Sequence, residues 1–211
     1  MSSIVFVSVD QLVIRHRLSE FDSAGYYMVS RFAEIANYLG SAFVMFLFPL
    51  VANRPAGDAE SRKVLLHSLL GTFVGGLGVA ALLLAGGRPL LGLNAQWRVY
   101  QPLAFEMSLL AVCNTVTVAN SCVTTYEMAQ GRFRFLWYLL PVCAFKMVLV
   151  YCVTGYTFFT GLLPQSWLDA VAAFNPNRLS VVLWTFLAFQ LLLLPLLLCD
   201  VLGGGGDAKG A

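Results

Sequence analysis

The chain has 211 residues, of which 59% are hydrophobic and only 11% are charged, and its formal net charge is +2. Soluble domains carry about 25% charged residues, so this composition, with a mean hydropathy of +0.76, excludes an ordinary soluble domain and indicates an integral membrane protein. The sequence has no Lys/Arg run of five or more, which excludes a polybasic surface for nucleic acid.

Apolar runs and the polar residues between them predict an all-α, polytopic transmembrane bundle of six spans. Residues 1–202 form this lobe, and 203–211 are predicted to be a flexible tail. The N-terminus is predicted to be a helix and not a cleaved leader, because Asp10 interrupts the first apolar run. The predicted spans are 1–18, 25–51, 63–86, 103–126, 135–159 and 178–199.

Glycines crowd the middle of the third span, where the spacing Gly71-x-x-x-Gly75 permits close helix contact in lipid. Six spans place both termini on one side of the membrane. With cytoplasmic termini, six Lys/Arg residues lie inside against five outside, which leans towards that orientation.

Four ionisable residues lie well inside the predicted spans: Asp10, Arg31, Glu34 and Lys146. Together they cost on the order of 10 kcal/mol unless they are paired or face a water-filled cavity. Such residues favour a transport pathway over a passive anchor. Asp10 is the candidate for ion coupling, or for a buried partner of Lys146 or Arg31. Lys146 is predicted to face a cavity, because it lies too deep to snorkel to either interface.

The second span carries a polar stripe, since Tyr27, Arg31, Glu34 and Tyr38 follow i, i+4, i+7 and i+11, with Asn37 adjacent. One interpretation is that Arg31 and Glu34 form a local ion pair that neutralises itself. The preferred interpretation is that the stripe lines a cavity, because two tyrosines and an asparagine are more than such a pair requires.

A second stripe of Asn114, Thr117, Ser121 and Thr124 runs along the fourth span. Hydrogen bonding to the backbone or to a neighbouring helix is the favoured interpretation here, and Asn114 is singled out as a candidate binding residue. In the same span Glu106 is expected at the headgroup level. In the last span, Gln190 is a weaker candidate for a polar role.

Motifs for catalysis and metal binding are missing from the sequence. It contains no HExxH, G-x-S-x-G or P-loop pattern, and its two histidines have no metal-ligand partner at helical spacing. The five cysteines lie in apolar segments without CxxC spacing and are predicted to be reduced packing residues. We therefore expect no enzyme activity, no cofactor and no metal.

Four stretches carry a resemblance to a known family: VDQLVIR at 9–15, LSEFDSAGYY at 18–27, LFPLVANR at 47–54 and RPLLGL at 88–93. In order and spacing they resemble the C-terminal lobe of polysaccharide flippases, in the multidrug and oligosaccharidyl-lipid exporter superfamily. The resemblance implies half of a two-lobe exporter fold in a bacterial inner membrane, with cytoplasmic termini. It also implies a lipid-linked oligosaccharide substrate and alternating access across a central cavity.

Family members have about twice as many helices, so the expected partner is an N-terminal lobe or, less favoured, a second copy of this chain. The residues then expected to bind substrate are Tyr27, Arg31, Glu34, Asn37, Tyr38, Asn114 and Lys146. A rival function is a non-transporting scaffold subunit of a polysaccharide synthesis complex, and a weaker one is a membrane transferase. The charged stripe favours transport, and the missing motifs disfavour the transferase.

Overall fold

The structure is a computed structural model that describes residues 20–55, 58–137, 139–144 and 178–203. These residues contain no strand, which confirms the all-α prediction for the part of the chain that the structure describes. A 3₁₀ helix, Arg98–Leu103, leads into the third of the long helices, and 136–137 and 139–144 are also helical. The four long helices are α1 (Glu20–Ala52), α2 (Ala59–Gly92), α3 (Ala104–Ala129) and α4 (Arg178–Gly203).

Four described segments are long and apolar enough to cross a membrane, namely Ser23–Ala52, Ala59–Gly92, Arg98–Ala129 and Val182–Cys199. They correspond to the second, third, fourth and sixth predicted spans. The 34 residues of α2 are about 51 Å long, more than the roughly 30 Å of hydrocarbon, so its ends extend to the headgroups. The first predicted span and most of the fifth lie outside the described residues, so the number six stays a prediction.

The third helix is the centre of the bundle. Its membrane-spanning window is 72% buried, against 22–33% for the windows of the other three spans. Its contacts with α4 follow the same order along both helices. Cys113 Sγ donates to Leu183 O at 3.5 Å, and two turns further along each helix Asn120 hydrogen-bonds Gln190. The two helices are therefore parallel.

The second helix runs in the opposite direction to α3. Ser108 Oγ donates to Ala80 O at 2.9 Å, whereas Cys122, further along α3, lies 3.7 Å from the hydroxyl of Thr72, earlier along α2. The connection from α1 to α2 also reverses the chain, so α1, α3 and α4 are parallel to one another.

The glycine pattern of the third predicted span packs as expected. A Cβ at Gly71 would come within 2.7 Å of the Phe43 ring on α1, and one at Gly75 would overlap Leu39. These two glycines therefore let α1 and α2 approach closely, which confirms the predicted contact.

Basic residues are distributed unequally between the two ends of the bundle. The end where α1, α3 and α4 finish and α2 begins is called the basic end here; the opposite end has Arg88, Arg98 and the first residue of α4, Arg178. Both basic connections, 54–63 and 130–134, thus lie at the end where the last span finishes, as the sequence predicts. The described basic residues of the basic end are Arg54, Arg62, Lys63, Arg132 and Arg134.

Two buried carboxylates lie near opposite ends of α3. Glu106 and Glu127 are 6% and 1% exposed. They are separated by 21 positions of α3, about 31 Å of helix, which matches the roughly 30 Å thickness of the hydrocarbon layer. A hydrocarbon layer centred between the two carboxylates has its middle near Val116 and Thr117, and the headgroup-level position of Glu106 stays a prediction.

Candidate functional site

The predicted polar stripe of α1 contains a compact cluster of three side chains, called the Arg31 cluster. Arg31 Nη2 donates to Tyr27 Oη at 2.7 Å, and Arg31 Nη1 lies 3.3 Å from Glu34 Oε2. The guanidinium carbon is also 4.7 Å from the centre of the Tyr27 ring, within cation–π range. The local ion pair between Arg31 and Glu34 is therefore present.

The Arg31 cluster lies on an open face of the bundle. The Arg31 side chain is 54% exposed, and that of Glu34 is 16% exposed. Tyr27 is 48% and Tyr38 68% exposed on the same face, and Asn37 beside them is half-buried. Among the described helices, none covers this surface. The stripe predicted from helical spacing is thus an outward-facing strip of polar side chains.

Polar and charged side chains on this face raise the free energy of placing α1 in lipid. Ala33 contacts Asn114 and Gly40 contacts Val118, which aligns α1 with α3 along the membrane normal. By this alignment Arg31 lies about 8 Å from the middle of a hydrocarbon layer centred near Val116 and Thr117. Charged side chains at this depth cost several kcal/mol against lipid even when partly paired. At this depth in a bilayer, water, a polar ligand or a protein neighbour would lower that cost.

The hydroxyls of the second stripe satisfy the backbone of their own helix. Thr117 Oγ1 donates to Cys113 O at 2.8 Å, Ser121 Oγ to Thr117 O at 3.0 Å and Thr124 Oγ1 to Ser121 O at 3.1 Å. The packing interpretation favoured by the sequence is confirmed for these three residues.

Asn114 joins two helices. Its Nδ2 donates to Ala33 O of α1 at 3.0 Å, and the side chain is half-buried. This bond gives Asn114 a role in the α1–α3 contact, and its role in substrate binding stays a prediction. Asp10 and Lys146, the other two candidates, lie outside the described residues, and their roles also stay predictions.

A polar bond between α3 and α4 was not anticipated from the sequence. Asn120 Nδ2 donates to Gln190 Oε1 at 2.7 Å and approaches Gln190 O at 3.2 Å, and Asn120 is only 5% exposed. Two amides on separate apolar spans were the only available signal, because the sequence does not specify which faces of the two helices meet. Interhelical bonds of this kind hold spans together in lipid.

We expect Asn120→Ala to lower the free energy of unfolding in detergent by about 0.6–1.7 kcal/mol, the range measured for interhelical hydrogen bonds. Gln190→Ala should cost a similar amount, and the double variant should cost little more than either. Thr117→Ala is the matched control, since the Thr117 hydroxyl donates its hydrogen bond to Cys113 O of its own helix. Additive losses from Asn120→Ala and Gln190→Ala would contradict a direct bond between the two amides.

A group of charged and polar side chains also packs together at the basic end. Glu127 and Tyr126 are 1% and 2% exposed at the end of α3. Arg62 of α2 hydrogen-bonds the Tyr126 side chain, and Arg132 is close enough to interact with it electrostatically. Glu127, which follows the last residue of the fourth predicted span, was not singled out from the sequence. This group ties the start of α2 to the end of α3.

The described residues contain no group of three His, Cys, Asp or Glu side chains that could hold a metal ion. Cys113 and Cys122 are buried and form no disulfide; Cys122 lies against Thr72 and Cys113 against the α4 backbone, as expected of packing cysteines. The polar face of α1 is therefore the best candidate site in the described structure. No protein-family model, curated protein or solved structure matches the chain.

Proposed function

We propose that this chain is one lobe of a membrane transporter that moves a lipid-linked oligosaccharide across the bilayer. The observation that carries the proposal is the Arg31 cluster, an arginine with a carboxylate and a phenol on an exposed face of a helix long and apolar enough to span a membrane. The resemblance of the sequence to polysaccharide flippases supplies the substrate class. The head of such a substrate is polar and carries phosphate, and its lipid tail is compatible with the bilayer.

The chemistry of Arg31 suits an anionic head group. A guanidinium has five N–H donors in a planar fork that matches phosphate oxygens, and the two bonds within α1 leave donors for a ligand. Attraction between opposite charges is stronger in a low-dielectric cleft than in water. Tyr38 and Asn37 then lie further along the same face, where their polar atoms are placed to bond sugar hydroxyls.

The local pair with Glu34 has a role in the same proposal. With no substrate present, Glu34 neutralises Arg31 and lowers the cost of holding a charge at this depth. An incoming phosphate competes with the carboxylate for the guanidinium, so binding and release exchange one anionic partner for another. Such an exchange keeps the affinity moderate, which a transport cycle needs.

The proposal includes a partner across the polar face and an orientation. The partner is an N-terminal lobe or, less favoured, a second copy of this chain, and the space between the two forms the cavity. The basic end faces the cytoplasm of a bacterial inner membrane by the positive-inside rule, which agrees with five basic residues there against three at the opposite end of the described structure.

Reconstitution tests the proposed function directly. The chain, purified with whatever partner remains bound to it, is placed in liposomes with a fluorescent lipid-linked oligosaccharide. An impermeant reagent that destroys the fluorophore then measures how much substrate is exposed. We expect the protected fraction to fall faster than in protein-free liposomes, and to do so faster than for a fluorescent phospholipid. Equal rates with and without protein would contradict the proposal.

A scaffold subunit of a polysaccharide synthesis complex is the second candidate, and one observation favours it. Arg31 is already bonded within its own helix, and the α3 hydroxyls bond their own backbone, so neither Arg31 nor these hydroxyls require a substrate to satisfy their hydrogen bonds. A scaffold would bind other membrane proteins through the α1 face without accelerating translocation. Copurification that depends on Arg31 in a preparation without translocation activity would favour this alternative.

A further inference from the structure

The segment that follows α3 has one face on the bundle and one face open. Phe135 is 3% exposed and belongs to a buried apolar cluster that includes Tyr126 of α3 and Leu197 of α4. Leu139 and Val142, at i+4 and i+7, pack against the same cluster. The spacing shows that the inner face of this segment is fixed by apolar contacts with α3 and α4.

The opposite face of the segment forms an apolar groove of about 640 Å³. Its large side chains are exposed: Trp137 is 82%, Leu140 64% and Phe133 59% accessible. A volume of this size lies within the roughly 300–1,000 Å³ of small-molecule sites, and the described lining residues, all of them apolar, suit hydrocarbon. The residues that line it are Phe133, Leu136, Trp137, Leu140, Pro141 and Ala144.

Positive charge lies at one end of this groove. Arg132, half-buried and close to Tyr126, and Arg134, exposed, flank Phe133 at the start of the segment, a few residues beyond Glu127. The groove therefore begins just beyond the end of the candidate span Arg98–Ala129 and continues along the segment. Trp137 is one turn further along, and exposed tryptophan is typical of the membrane interface. Basic side chains at this level attract anionic lipid head groups.

We propose that this groove binds one anionic phospholipid of the adjacent leaflet. An acyl chain lies along Trp137, Leu140 and Ala144, and the phosphate and its net negative charge lie against Arg132 and Arg134. Charge complementarity selects this occupant, because a zwitterionic lipid gains the same apolar contact and no net attraction to the two arginines. The site is independent of the polar face of α1 and of the proposed transport function.

Trp137 is placed to report this binding. A variant in which Trp97, Trp167 and Trp184 are replaced by Phe retains Trp137 alone, and bromine on a lipid chain quenches an adjacent tryptophan. Vesicles of fixed charge then contain either brominated phosphatidylglycerol or brominated phosphatidylcholine. We expect a relative affinity about fivefold or more in favour of phosphatidylglycerol, since each basic residue near a membrane surface contributes a factor of that order.

The double change Arg132→Gln and Arg134→Gln should bring this ratio close to one. Arg88→Gln with Arg98→Gln removes the same charge at the opposite end and should leave it unchanged. Equal quenching by the two lipids in the unmutated background would overturn the proposal, and so would an equal loss of preference in both double variants. Photoactivatable phosphatidylglycerol on the protein with all its tryptophans provides a second measurement: adducts concentrated in 133–144 support the site, and adducts matching those of phosphatidylcholine contradict it.

Discussion

Replacing Arg31 with alanine is expected to abolish translocation of lipid-linked oligosaccharide while leaving the amount of protein in the membrane near normal. Arg31 is bonded only to Tyr27 and Glu34 of its own helix among the contacts of the described structure, and its side chain is 54% exposed. Its removal therefore costs little in folding. A substrate phosphate would lose a charge-assisted hydrogen bond worth about 1.5–3 kcal/mol, or roughly a 10- to 150-fold loss of affinity.

Two further variants refine this experiment. Arg54→Ala is the matched control, since Arg54 also pairs with a carboxylate, Glu60 at 3.0 Å, but lies at the basic end. It should leave translocation unchanged. Arg31→Lys keeps the charge but loses the planar fork, so partial activity is expected. Normal translocation by Arg31→Ala would show that the cluster only neutralises itself. Lys146→Ala is expected to abolish translocation in the same way.

Gly76→Ala adds a single methyl group and is nevertheless expected to lower the free energy of unfolding substantially. A Cβ at Gly76 would overlap both Oγ1 and Cγ2 of Thr115, and would lie 2.8 Å from the Thr115 Cβ itself. Rotation of Thr115 cannot relieve the contact with its Cβ, and the hydroxyl is already bonded to Ala111 O. Helices α2 and α3 must therefore separate, at a cost of about 1–3 kcal/mol.

Gly78→Ala provides the control on the same helix. A Cβ at Gly78 meets nothing within 4 Å, so the change should be neutral or stabilise α2 by up to about 1 kcal/mol, the usual advantage of Ala over Gly in a helix. Equilibrium unfolding in detergent micelles measures both variants. Equal stability of the two would mean that α2 and α3 do not approach each other at Gly76 as closely as described.

The features that follow from spacing along one helix could be predicted from the sequence. Tyr27, Arg31 and Glu34 meet because residues three and four apart lie on one face of any α-helix. The close contact at Gly71 and Gly75 follows from the same periodicity and the absence of side chains. The ends of the helices were predicted less accurately. The third span was predicted to end at residue 86, whereas α2 continues through Pro89 to Gly92, because proline is tolerated in a long helix within the membrane.

Features that depend on how helices rotate against one another could not be predicted. Asn120 and Gln190 are 70 residues apart, and nothing in either span specifies that their amides face each other. The same holds for Glu127, which is buried because α2 begins beside the end of α3. In a span whose lipid-facing and protein-facing surfaces are both apolar, hydrophobic periodicity gives little information on which face packs inward.

The central claim is that the polar face of α1 lies against a protein partner or a polar cavity and not against lipid. A photoreactive amino acid at Tyr38, the most exposed member of that face at 68%, tests this claim in native membranes. The matched position is Leu82 on α2, which is 73% exposed and apolar. We expect position 38 to crosslink to a membrane protein, either a separate lobe or a second copy of this chain, and position 82 to crosslink to lipid. Crosslinking to lipid alone from both positions would contradict the account.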